Sequence, residues 1–294
     1  MLRHSGRVFL AAIVALISAF CFAIASVAQH HVAHETQTVQ TLNPRLFLDL
    51  ARRPLWWAGS FGDLFGFIIQ AVALSLGAVS LVQPLLVTGL LLAIPLSAAV
   101  DHRKVVHAEV GGALLCCAGL AAFLIAAQPT TGSEHVSGQD GLLLLASVGP
   151  IVIALILASR RFTGVARSVA LALSAGTLFA VCSPLLSVIV RDLHHLLEWP
   201  LATIGVCGVI GFLLTQNAYQ AGSLPAPLAC ITICEPIVAV TLGVTLLHEH
   251  LDAGPVAIGV IVVAVMAVIA GVIIVARNAP DARRASAPTE AVAA

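Results

Sequence analysis

Six polar side chains stand inside long apolar stretches of the sequence. A carboxylate in lipid is energetically costly unless it takes a proton or lies against a cation, so such residues usually mark an ion or substrate pathway. Side-chain amides can both donate and accept hydrogen bonds around a bound substrate. We therefore predict a central polar cavity that handles protons or a cationic substrate. The six residues are Asp63, Gln70, Gln216, Asn217, Gln220 and Glu235.

Helical spacing divides these residues into groups. Asp63 precedes Gln70 by two helical turns, so the two share one face of a helix. Gln216 and Gln220 are four residues apart and share a face of another helix. A structural role is the alternative for all of them. Asp63 would then cap a helix near the interface, Glu235 would be a protonated packing residue, and the amides would join helices by hydrogen bonds.

The composition requires a lipid environment. The chain has 294 residues, of which 60% are hydrophobic and only 10% are charged, whereas a soluble domain has about 25% charged residues. The mean hydropathy is +1.04, and the apolar runs are continuous rather than alternating, which predicts helices. We expect an all-α polytopic membrane protein whose main partner is the lipid bilayer. The 14 basic residues balance the 14 acidic ones, so we expect no nucleic-acid partner.

About nine apolar runs are long enough to span a membrane, which takes about 20 residues. Four form a first membrane repeat, residues 1–128, and lie near 8–28, 55–77, 79–100 and 109–128. Five form a second repeat, residues 141–276, and lie near 141–158, 167–190, 201–220, 224–247 and 255–276. Residues 277–294 are expected to be a disordered cytoplasmic tail.

The first run has a rival interpretation as a cleaved signal peptide. Arg3 and Arg7 precede it, and Ser26-Val27-Ala28 has the form of a signal-peptidase site. Its apolar length exceeds the 7–15 residues usual for a signal sequence, so we expect a retained helix. A long loop, 29–54, follows. Within it, the segment from Leu42 to Leu50 is expected to be interfacial, and a tenth membrane element is the alternative.

The basic residues predict the orientation, because loops rich in Lys and Arg stay in the cytoplasm. With nine spans, one face receives only Arg3, Arg7 and Arg191. We expect the opposite, more basic face to be cytoplasmic at the plasma (inner) membrane, with the C-terminus inside and the N-terminus outside. That face receives Arg45, Arg52, Arg53, Arg103, Lys104, Arg160, Arg161, Arg167, Arg277, Arg283 and Arg284.

Other candidate chemistry is weak in this sequence. His30, His31, His34 and Glu35 have a spacing that could bind a metal, but a polar connector is the simpler interpretation. The segment His248-Glu249-His250 lacks the second histidine of a zinc-protease motif, and Glu249 fits a corner or cap better than a ligand. The seven cysteines fall in apolar runs and are expected to be small buried hydrophobes. We therefore expect no enzyme, no metal site and no cofactor.

Two stretches of the sequence, 70–84 and 216–236, share an ordered set of features. Each begins with glutamine, continues through a hinge of small residues, and carries a proline in the next helix. Each lies in an apolar region of about 46 residues, or about 69 Å as a helix, which is twice the ~30 Å hydrocarbon core. Each region must turn back once, near Gly77–Ser80 and Gly222–Pro227. The two copies start on opposite sides, which predicts inverted repeats like those of secondary transporters.

The same residues resemble the drug/metabolite transporter superfamily. The second half is similar to its EamA-type repeat in Glu235-Pro236-Ile237-Val238-Ala239, in the corner that ends Leu247-His248-Glu249, and in the Gly259-bearing last helix. The first half, from Leu55-Trp56-Trp57-Ala58-Gly59 to Ser80-Leu81-Val82-Gln83-Pro84-Leu85, resembles the NIPA-like branch, which is associated with magnesium transport and has nine helices. The resemblance implies a bundle of two inverted repeats with the substrate site at their interface.

The chain also departs from the NIPA-like pattern. Phe67 stands in place of an intramembrane glutamate, and Gln70 stands in place of an asparagine. Because Mg²⁺ prefers carboxylate or water oxygens, magnesium becomes the alternative and Asp63 the candidate substitute ligand. We expect a secondary transporter for a small neutral or cationic metabolite or drug, which works by proton-coupled exchange or by facilitated movement. A membrane protein that transports nothing is the third interpretation, and a homodimer stays open.

Overall fold

The computed structural model describes residues 2–35, 44–76, 79–127, 138–191, 199–246 and 255–279. In chain order these residues form eleven helices and no strand. The helices are α1 (Leu2–Glu35), α2 (Pro44–Ala51), α3 (Pro54–Leu76), α4 (Val79–Val87), α5 (Gly89–Val100), α6 (His107–Ala127), α7 (Gly138–Ser159), α8 (Gly164–Arg191), α9 (Trp199–Ala221), α10 (Pro225–Leu246) and α11 (Pro255–Asn278).

The helices have the length and surface of a membrane protein. In the described ranges, six are long and apolar enough to cross a membrane: parts of α1, α3, α6, α8, α9 and α11. Shorter apolar helices lie at Pro84–Val100, Leu143–Ser159 and Pro225–Ala239. Large apolar side chains such as Val256 and Phe9 are 82% and 70% exposed, which only lipid makes favourable at this density. The chain is therefore an all-α, membrane-embedded protein.

Two of the expected boundaries differ from the structure. The first helix does not end near residue 28 but continues to Glu35, because Val32 and Ala33 are buried in the core and hold its last turns. The predicted loop therefore starts later, and His30 lies on a helix. The expected span 79–100 is interrupted at Thr88, whose backbone N–H bonds to the oxygen of Leu85 in a tight turn.

Small residues bring the main helix pairs together. Gly59, Gly62 and Gly66 of α3 face α1, and a Cβ at Gly59 would lie 2.8 Å from Cγ of Gln29. On α6, a Cβ at Gly112 would lie 2.9 Å from the backbone oxygen of Gly271 on α11. Glycine at such contacts lets two helix backbones approach closely, as is typical of packing in lipid.

The contacts also fix the directions of the helices. Ser18 on α1 donates to the oxygen of Gly66 on α3 at 2.7 Å, while Gln29, eleven residues later, meets Asp63. These two helices are therefore antiparallel. The C-terminal ends of α1 and α9 meet instead, because Nε2 of His30 lies 3.0 Å from the oxygen of Gly222.

The end of the bundle where α1 and α9 finish is here called the basic end. There α8 begins, since Ser168 donates to the oxygen of Ala218 at 2.7 Å. The corner from α5 to α6 lies there as well, because Val82 packs with Ala15 and Gly89 lies against Ala19, so that α4 and α5 run in the same direction as α1. Across this corner Arg103 donates to the buried carboxylate of Glu109 at 2.9 Å. Among the described residues, this end carries Arg52, Arg53, Arg103, Lys104, Arg160, Arg161, Arg167 and Arg277.

Candidate functional site

A chain of four hydrogen-bonded side chains crosses the interior between α1, α3 and α9. Trp56 donates from Nε1 to Oε1 of Gln216 at 3.0 Å. Gln216 donates from Nε2 to Oε1 of Gln29, and Gln29 donates from Nε2 to Oδ2 of Asp63 at 2.6 Å. We call these four residues the amide chain. Its three bonds all point toward the carboxyl group, so each bond polarises the next.

Three members of the amide chain are enclosed by protein, and the fourth, Asp63, is half-buried. Gln216 is fully buried, and Gln29 and Trp56 are nearly so. The side chain of Gln29 occupies space that exists only because Gly59 has no Cβ. Buried amides are unfavourable unless their donors and acceptors are paired, and here each glutamine uses both ends of its side chain. The local fold therefore positions Asp63 through neutral amide partners.

A second set of polar groups lies beside the amide chain on the same face of α1. His30 is buried, and its ring meets Tyr219 edge-on with centroids 5.9 Å apart. The ring of His30 also stacks on His34 at 5.3 Å. Tyr219 is hydrogen-bonded to Ser26 and lies close enough to Asp63 to interact with it electrostatically. Ionisable groups thus connect the carboxyl group with the end of α1.

The carboxyl group of Asp63 has no cationic partner in the part of the chain that the structure describes. The ion pairs found there join His31 to Glu35, and Arg103 to Asp101 and Glu109. Its described hydrogen bond comes from the neutral amide of Gln29. Such a group can exchange a proton or receive a cation without first releasing a protein cation.

The structure brings two of the six predicted residues together. Asp63 and Gln216 both belong to the amide chain. Gln70 lies two turns further along α3 than Asp63 and is not part of the amide chain. Asn217 is buried but donates to the oxygen of Leu213 within α9.

The other predicted residues lie elsewhere. Gln220 is partly buried near the end of α9. Glu235 is on α10, within electrostatic reach of Cys182 and Cys234, away from the helices that hold Asp63. Glu249 lies outside the described residues. All seven cysteines are described, and none forms a disulfide.

Sequence reasoning missed Gln29 and Trp56. The sequence predicts that Gln29 lies in the loop 29–54, because the first apolar run ends near residue 28. One signal was present, since Ser26, Gln29 and His30 have the spacing of a single helical face. Among the described residues no group of three or more His, Cys, Asp or Glu side chains is arranged to hold a metal ion.

Comparisons with known proteins identify a relative of the chain, but the relative's name does not indicate a function. The chain is 27% identical over 246 residues to an uncharacterized protein of Corynebacterium glutamicum, covering 82% of this chain and 85% of that protein. No protein-family profile matches the chain, and no solved structure matches it. The functional conclusion therefore depends on the geometry of the site.

Proposed function

We propose that the protein is a secondary transporter of the drug/metabolite type that moves a small neutral or cationic substrate across the plasma membrane. The observation that carries this proposal is the amide chain, which ends on Asp63 inside an apolar bundle. Ionisable groups within membrane helices are rare and usually serve transport. Asp63 is the group that binds a proton or the cationic substrate, and Gln29 and Gln216 orient it.

The direction of the helices supports an inverted-repeat architecture. The two similar stretches of sequence begin on α3 and α9. The helix α3 is antiparallel to α1, whereas α9 ends beside the end of α1. Two copies inserted in opposite directions are what alternating access uses. We therefore keep nine spans, repeats at 1–128 and 141–276, and a cytoplasmic basic end as parts of the proposal.

The experiment measures proton movement across the membrane of liposomes that contain the purified full chain. Pyranine inside the vesicles reports internal pH, and ethidium is imposed as a gradient of a cationic probe. We expect ethidium movement to change the internal pH, and the Asp63→Asn variant to abolish that change. Asparagine still offers an oxygen to Gln29, so the fold is kept while the exchangeable proton is lost.

The matched control is Asp49→Asn, which neutralises a half-buried carboxylate on α2 outside the amide chain. It should behave as the unmodified chain does. Replacing ethidium by Mg²⁺ tests the NIPA-like alternative, which Mg²⁺ uptake without proton movement would favour. If neither probe moves in a way that depends on Asp63, the protein is not this transporter and the amide chain only joins helices.

A further inference from the structure

One face of α1 carries ionisable and hydroxyl groups from the exposed end of the helix to the interior. Ser26, His30 and His34 recur at intervals of four residues, which places them above one another on that face. His34 is exposed, while His30 is only 4% exposed. Their rings are nearly parallel, with an angle of 17° between planes. The face thus begins at the surface and ends in the core.

Tyr219 extends this series toward the carboxyl group. It lies edge-on to His30, is hydrogen-bonded to Ser26, and interacts electrostatically with Asp63. Imidazole and hydroxyl groups can each accept one proton and release another. The amide chain reaches Asp63 through Gln29 and has no ionisable member besides Asp63 itself. It therefore positions the carboxyl group, while the series from His34 is able to supply protons.

We propose that His34, His30 and Tyr219 form a proton path between the basic end of the bundle and Asp63. This inference rests on the proposed function, since it concerns how the transport site gains and loses its proton. A proton from water binds to His34 and passes to His30 as His34 returns to its neutral form. The hydroxyls of Tyr219 and Ser26 then accept one proton and release one to the carboxylate. Water or side-chain rotation crosses the gaps between neighbours, and no net charge stays on the path.

Several helices carry charged or titratable groups toward the end of the bundle where His30 lies. On α1, His31 is turned away and pairs with Glu35 at 3.4 Å. Besides the basic residues of the basic end, which include Arg103 and Arg167, the neighbouring helices carry Asp63 on α3, Asp101 at the end of α5, and Tyr219 on α9. His30 itself is held to the neutral oxygen of Gly222. The ring of His30 is in contact with both of its neighbours on the proposed path, His34 and Tyr219.

The test follows the protonation of Asp63 directly and needs no transported substrate. The full chain in lipid bilayers is subjected to a rapid pH jump, and infrared spectroscopy records the carboxylic-acid C=O band that Asp63→Asn removes. We expect His30→Gln to slow the change of this band by a factor on the order of 10², as removal of a positioned proton-transfer group does. Glutamine can still donate to Gly222, so the final amplitude of the band should be unchanged. A purely structural role for His30 would instead alter that amplitude.

Two further variants protect the test against a folding defect. His34→Gln removes the exposed entry group, and imidazole in the buffer should restore its rate. His31→Gln is the matched control, because His31 is adjacent in sequence but outside the path, and its rate should be that of the unmodified chain.

The outcomes separate this inference from the proposed function. If the Asp63 band titrates but His30→Gln and His34→Gln respond at the original rate, the proton path is wrong and the transport site stands. If no band in the unmodified chain depends on Asp63 at any pH, proton exchange at Asp63 is excluded. The proton path then fails, and of the proposed function only direct binding of a cationic substrate by Asp63 stands.

Discussion

At the scale of single residues, the identity of the two glutamines matters more than their polarity. A glutamine side chain has a donor and an acceptor at fixed positions, so Gln216 can accept from Trp56 while it donates to Gln29. A glutamate at either position would present an acceptor where the next bond needs a donor. The direction of the amide chain follows, and it presents an N–H rather than an oxygen to Asp63.

Because Gln29 is the middle link between Gln216 and Asp63, its replacement should lower the free energy of unfolding more than replacement of the other members. The Gln29→Leu variant approximately keeps the volume, but Nε2 of Gln216 and Oδ2 of Asp63 each lose the hydrogen bond to Gln29. A buried unpaired polar group is destabilising by about 1–3 kcal/mol. We expect a fall of that size in the free energy of unfolding, measured by denaturant titration in detergent micelles. Ser75→Ala is the control, since Ser75 is exposed and donates to the oxygen of Val72 in its own helix. Equal free energies of unfolding for the two variants would show that the amide chain does not hold α1, α3 and α9 together.

At the scale of helices, close approach is decided by which glycines face a neighbour. Adjacent glycines on α6 show the contrast. A Cβ on Gly112 would meet the backbone oxygen of Gly271 and the side chain of Val275 at 2.9 Å, whereas a Cβ on Gly111 would meet nothing within 4 Å. The sequence alone does not distinguish the two residues, because two adjacent glycines do not reveal which of them lies in the interface between helices.

The two positions should therefore respond in opposite directions to the same substitution. Gly112→Ala forces α6 and α11 apart, and overpacking of this kind is destabilising by about 1–3 kcal/mol. Gly111→Ala enters open space and should stabilise the helix by about 0.5–1 kcal/mol, because alanine loses less backbone entropy than glycine. Thermal unfolding of the two variants in the same detergent measures the difference. A shift of the same sign in both would contradict the packing of α6 against α11.

At the scale of the whole molecule, basic side chains are distributed unequally between the two ends of the bundle. Exposed basic side chains such as Arg160, Arg161 and Arg277 collect at the end where α1 and α9 finish. Loops rich in Lys and Arg stay on the cytoplasmic side during insertion. The proposed proton path opens at this same end through His34, so the proton site would be reached from the cytoplasm.

An epitope tag can test that orientation. Inserted after Phe162, in the turn between α7 and α8, the tag should bind antibody only after the cells are permeabilised. A second tag is inserted in the connection between the end of α8 and the start of α9, two helix ends that lie away from the basic end. This tag should bind antibody on intact cells. The reverse pattern would place the basic end outside and would remove the cytoplasmic entry of the path.

The sequence alone predicted the all-helical, membrane-embedded class of the protein, because apolar runs and scarce charges depend only on composition and length. It also singled out Asp63 and Gln216, since a polar group in an apolar run is visible without coordinates. It did not find Gln29 or Trp56, whose partners lie 34 and 160 residues away. Tertiary structure alone decided those pairings, because the helix end that carries Gln29 is held by burial of Val32 and Ala33 against other helices. The end of the apolar run near residue 28 predicts a loop from residue 29, whereas packing continues the helix to Glu35.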